Sequence, residues 1–96
     1  MRRARLIVVA LILLGPAAAG RAEPPQGASS CTGCHALNPA LVTAIPRLPG
    51  HSAAELAGQM QAFRNGQRPS TVMGRIAKGF SDREIEAIAE WYAAQK

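Results

Sequence analysis

The chain has 96 residues, with eleven basic and six acidic side chains, a formal net charge of +5 and two cysteines. That length is expected to hold one small domain. Arg2, Arg3, Arg5 and Arg21 all fall in the first 22 residues, so residues 23–96 carry seven basic and six acidic groups, net +1, and nucleic-acid binding gains no support.

Residues 1–22 read as an export signal. Three arginines precede an unbroken apolar run from Leu6 to Leu14, Gly15-Pro16 stops it, and small residues follow from Ala17 to Gly20. The run is nine residues long, well short of the ~20 a spanning helix needs. Cleavage is expected after Ala22, with Gly20 at −3; the alternative site follows Ala19. An uncleaved N-terminal anchor is the rival reading. Cleavage would leave residues 23–96 as one domain without a membrane span, delivered to the bacterial periplasm. Those 74 residues hold sixteen large apolar side chains, a thin core of the kind that small domains supplement with a disulfide, a metal or a cofactor.

Glu23 to Ser30 carries Pro24, Pro25 and Gly27 and can be helical only toward its end. Cys31-Thr32-Gly33-Cys34-His35 follows, expected on a short helix or helical turn. Two thiols at this spacing can each add to one vinyl group of a porphyrin, and the adjacent imidazole then falls beneath the iron as proximal ligand. A redox dithiol would need a βαβ setting, which this chain cannot build. Zinc would need four ligands, and His51 is the only other candidate. The motif therefore points to one covalently attached haem c.

Ala36 to Gly50 contains Pro39, Pro46 and Pro49 and is expected to be a loop wrapping one side of the cofactor. Pro46 could return beneath His35 and present its carbonyl, or it could only stiffen the loop; Leu48 would cover a haem face. Ser52-Ala53-Ala54-Glu55 reads as a capping box, followed by Leu56, Met60 and Phe63 on one helix face and ended by Asn65-Gly66. Met60, at core spacing, is assigned to packing.

Arg68 to Gly79 is expected to be mostly loop, with at most one turn at Arg75 to Lys78. Met73 lies there without any helical periodicity to explain it, and Gly74 beside it permits close backbone approach to a flat ligand. Met73 is assigned as the distal iron ligand, with His51 as its competitor. A thioether there favours ferrous iron and suits electron transfer. Arg64, Arg68, Arg75 and Lys78 read either as a solvated surface or as a docking zone, with Arg75 and Lys78 the docking candidates.

Ser81-Asp82-Arg83-Glu84 is a second capping box. Phe80 is placed to staple against Ile85, and Ile88, Ala89 and Tyr92 continue the inner face with Trp91 on its flank. No segment alternates apolar and polar residues long enough for a strand. The fold class is all-α, with three to four short helices.

Four features resemble the class I c-type cytochromes over the whole of residues 23–96. They are the Cys31–His35 motif, the segment Ile45-Pro46-Arg47-Leu48-Pro49-Gly50, the Met73 loop and the capped C-terminal helix with Trp91-Tyr92. Thr71 to Ser81 and Gln61 to Pro69 look particularly like the haem subunit of flavocytochrome c sulfide dehydrogenase. The resemblance implies a small class I cytochrome c fold around one haem and Pro46 as the carbonyl partner of His35. It also implies a heterodimer with a flavoprotein sulfide dehydrogenase subunit, whose FAD supplies electrons, and a downstream acceptor cytochrome. On this reading the chain performs no bond chemistry by itself. Two rivals are a free-standing shuttle cytochrome and a ligand-binding module with an open iron. The departure is at the front, where the short Glu23–Ser30 segment replaces the family's full N-terminal helix and leaves the packing of Trp91 open.

Overall fold

The computed structural model of the chain describes residue 15 and residues 23–95; the expected signal and its cleavage site lie outside them. Four helices follow in order: α1 (Ala28–Cys31), α2 (Ala53–Arg64), α3 (Met73–Ala77) and α4 (Asp82–Ala93). Among the described residues there is no strand, and no helix is long and apolar enough to cross a membrane. The all-α class with short helices is as expected.

α2 packs against both α4 and α3. The core is formed by Ala28, Leu56, Ile88, Ala89 and Tyr92, with Leu48, Ala53, Ala57, Phe80 and Trp91 packed against it. α4 supplies most of this core because Ile85, Ile88, Ala89 and Tyr92 recur at helical spacing and are all buried. Its N-terminus is fixed by a complete capping box. Ser81 Oγ accepts from Glu84 N at 3.2 Å, and Glu84 Oε1 accepts from Ser81 N at 3.0 Å.

The box at α2 is only half formed, which corrects the expectation. Ser52 Oγ accepts from Glu55 N at 3.1 Å, but the Glu55 carboxylate turns to His51 Nδ1 at 3.2 Å. An imidazole one turn back competes with the cap's backbone N–H for the same oxygen. The far end of α2 is a Schellman turn, with Gly66 at φ +73°, Gly66 N donating to Phe63 O at 3.3 Å and Gln67 N to Ala62 O at 2.9 Å. Arg64 donates to Phe80 O at 3.4 Å and pairs with Asp82, so it ties α2 to the start of α4 rather than lying free on the surface.

A second correction concerns residues 73–77. They form α3, two residues earlier than the expected turn, and Met73 opens that helix instead of lying in a loop. Ser70 Oγ accepts from Gly74 N at 2.8 Å and supplies the local hydrogen bond that Val72, the N-cap residue, cannot. A Cβ at Gly74 would meet Ser70 Oγ at 3.2 Å and Phe63 O at 3.5 Å. The close approach at this glycine is therefore to the protein's own chain.

α1 is too short to persist alone. It is held by α4: Ala28 is fully buried, and the buried Tyr92 hydroxyl donates to its carbonyl. Gly27, at φ +88°, lies under the Phe80 ring, where an added Cβ would stand 2.5 Å from Phe80 Cε1. Phe80 thus covers the N-terminal segment. Trp91 is half-buried against the core and meets Tyr92 edge-on, with ring centroids 4.8 Å apart at 84°.

Candidate haem-binding site

The turn begun by α1 continues through the cysteine motif. Cys34 N donates to Cys31 O at 3.2 Å, and His35 N donates to the same carbonyl at 2.8 Å. One helical turn therefore separates the two thiols and brings the imidazole beside them. All three side chains line a single cavity of about 620 Å³, within the ~300–1,000 Å³ span of pockets that hold ligands of this class. Cys31 is half-buried and Cys34 exposed, neither joined in a disulfide. Burial pushes the Cys31 thiol above its ordinary value, and hydrogen bonds from Tyr92 and Ser30 offset part of that. Burial, then the neighbouring Cys31, likewise raise the Tyr92 hydroxyl.

His35 is held from the opposite side of the motif. Its Nδ1 donates to Pro46 O at 2.6 Å, which fixes the Nδ1–H tautomer and leaves Nε2 as the lone-pair nitrogen. Pro46 and Leu48 both line the cavity, and Leu48 also packs on the core. Behind them, Arg47 Nη2 donates to Leu37 O at 2.8 Å.

Further lining comes from α2 and the segment leading into α3. Met73 is half-buried and lines the cavity together with Thr71 and Val72. Met60 lines it too, so the assignment of Met60 to core packing is corrected: helical spacing puts it on the inner face of α2, and that face fronts a cavity at this level. Leu56, Ile85, Ile88, Ala89 and Tyr92 form an apolar floor. Ile45, Val72 and Ile76, each 37–49% exposed, stand around the cavity. His51 is not among the lining residues and is engaged with Glu55.

The donor set fits haem c. Two thiols one turn apart, an imidazole with one nitrogen committed to a carbonyl, thioether sulfurs and aliphatic walls match a covalently held, largely apolar macrocycle with an iron at its centre. Such a group, when bound, supplies a one-electron couple. The rival chemistries find less. Among the described residues no three His, Cys, Asp or Glu side chains converge to hold a metal ion, and no strand is present to build a dithiol fold.

Sequence reasoning missed Met60 and Arg68 as cavity residues. Arg68 lies 5.0 Å over the Phe63 ring, and both line the cavity. No pattern in the chain signals that contact, because it depends on how the chain turns at Gly66. Arg75 and Lys78 are exposed.

No family model matches the chain. Among curated proteins it is similar to the cytochrome subunit of sulfide dehydrogenase from Chlorobaculum tepidum, 43% identical over 63 residues, covering 66% of this chain and 57% of that protein. It is similar to a thiosulfate dehydrogenase electron acceptor from Thiomonas intermedia, 35% identical over 100% of this chain and 45% of that protein. It is also similar to cytochrome c-554(548) from Halomonas halodenitrificans, 37% identical over 85% of this chain and 99% of that protein. The chain thus spans about half the length of the first two relatives and nearly all of the third. With a likeness that covers nearly all of the third relative and a cavity whose donors suit haem c, the chain belongs to the c-type cytochromes, proteins that bind haem and transfer electrons.

Proposed function

We propose that the chain is a periplasmic monohaem electron carrier. Cys31 and Cys34 anchor the haem through thioether bonds, His35 is the proximal iron ligand and Met73 the distal one. The observation that carries this reading is the 2.6 Å bond from His35 Nδ1 to Pro46 O, in the wall of a cavity that both thiols and Met73 share. A ligating histidine characteristically gives its second nitrogen to a fixed acceptor, which sets the ring plane and raises its basicity. Met73 is preferred to Met60 because it ends a continuous run, Arg68 to Met73, in which every residue lines the cavity. Met60 belongs to the twelve-residue α2, whose register is fixed by Leu56 in the core.

Residues 1–22 are read as the export signal, removed after Ala22, with residues 23–96 as the working domain. The role is that of a relay, receiving electrons one at a time from the FAD of a flavoprotein sulfide dehydrogenase subunit and passing them to a downstream cytochrome. The likeness of Thr71–Ser81 to flavocytochrome haem subunits supports this partner, as does the 43% identity to a cytochrome subunit of sulfide dehydrogenase. A free-standing shuttle is the second reading, favoured by the match to 99% of cytochrome c-554(548), a relative no longer than one such domain.

Native pull-down from the host, followed by mass spectrometry, separates the two. Co-elution of a flavoprotein in a 1:1 complex is expected. A haem-bearing chain that always elutes alone would favour the shuttle.

A further inference from the structure

Between His35 and Arg47 the chain has no charged residue, and Leu37, Leu41, Val42 and Ile45 are 40–98% exposed. Little holds this loop internally. Asn38 Oδ1 accepts from Ala40 N at 2.9 Å, Asn38 O accepts from Leu41 N at 3.1 Å, and Thr43 Oγ1 donates to Ile45 O at 2.7 Å. All three are local and leave the two arms of the loop unconnected.

Among the described residues, two hydrogen bonds join those arms. One is His35 Nδ1 to Pro46 O at 2.6 Å; the other is Arg47 Nη2 to Leu37 O at 2.8 Å. They run in opposite senses, one from each arm, two residues apart on one side and adjacent on the other. Pro46 has no N–H, so its own backbone can add nothing to the closure beyond the carbonyl already used. Arg47 Nε is buried without a hydrogen-bond partner. Keeping part of a guanidinium unpaired and out of water is unfavourable, and an aliphatic side chain would cover the loop at less cost. The arginine is explained by what its Nη2 does.

We infer that Arg47 is a positioning residue for His35. By fixing the Leu37 carbonyl it closes the base of the loop and holds the Pro46 carbonyl on His35 Nδ1. The inference rests on the reading of His35 as an iron ligand and extends it one residue outward.

The test uses the haem-loaded protein in its ferrous state, by NMR. It reads solvent exchange of the His35 Nδ1 proton alongside the amides of Ile88 and Ala89 in α4. Arg47→Ala is expected to speed exchange of the ring proton about tenfold, the factor that loss of one hydrogen bond of ordinary net strength gives, with the α4 amides unchanged. Arg47→Lys keeps one donor for the Leu37 carbonyl and is expected to restore most of the protection. If Arg47→Ala does not accumulate, Arg47→Met, which keeps the apolar stem, takes its place. An unchanged ring-proton rate overturns the inference. So does equal acceleration of the α4 amides, which would mean general loosening. Wild-type His35 ring signals without haem-induced shifts would refute the ligand assignment itself, whereas normal shifts with an Arg47-independent rate refute only the lock.

Discussion

Two methionines reach one cavity, and their loss should have opposite signatures. Met73→Ala is expected to abolish the weak sulfur-to-iron band of the ferric spectrum, lower the reduction potential and let the ferrous protein bind carbon monoxide at neutral pH. Met60→Ala should keep the band and cost about 2 kcal/mol of stability, measured by denaturant titration, because it removes packing from a cavity wall. At this scale the motif residues were legible, since the spacing of Cys31, Cys34 and His35 is itself the chemistry. Met60 was not, because helical periodicity tells inner from outer and cannot tell core from cavity wall. Arg47 was equally invisible: its acceptor is a backbone carbonyl ten residues away, and no side-chain pattern marks one.

Helix α1 has four residues and depends on what α4 and Phe80 place against it. Tyr92→Phe leaves the buried Ala28 carbonyl without its donor and should cost about 1–3 kcal/mol. Gly27→Ala combines an unfavourable positive φ with a Cβ 2.5 Å from Phe80 Cε1, and a loss of about 1–3 kcal/mol is expected. Gly58→Ala is the contrasting case, exposed in mid-α2 with nothing near its added Cβ, and should stabilise by about 0.5–1 kcal/mol. Chemical denaturation of the three variants checks all of these.

The capping box adds a pH dependence to α4. Hydrogen bonds from Ser81 hold the Glu84 carboxyl below its ordinary value near 4.5. Its contribution is therefore fully present above that value and is lost as pH falls through the lower folded one. Glu84→Gln should flatten the stability curve across that acid window. The capped starts of α2 and α4 were readable from Ser52 and Ser81 because the signal is local. α3 was misplaced by two residues because its start depends on Ser70, a hydroxyl without a distinctive context.

Taken whole, the described chain is a small helical domain whose compact core sits beside a cavity that its own apolar side chains line without filling. Composition had already pointed this way, since sixteen large apolar side chains are few for a domain meant to stand without a cofactor. What composition could not supply was the part of the lining that comes from α2, α3 and the segment between them, which depends on how those helices pack. Charge at this scale is unremarkable once residues 1–22 are set aside: Arg64 is used internally, and Arg75 and Lys78 are exposed. Reversing those last two to glutamate is expected to slow electron exchange with the proposed flavoprotein partner and to weaken its dependence on salt, with the reduction potential unchanged. Stopped-flow kinetics at two ionic strengths would show it.

The most direct test of the whole account is the intact mass of protein matured in a bacterial host competent for haem attachment. It should equal the polypeptide beginning at Glu23 plus one haem, and that addition should survive denaturation. A mass equal to the bare polypeptide would contradict it.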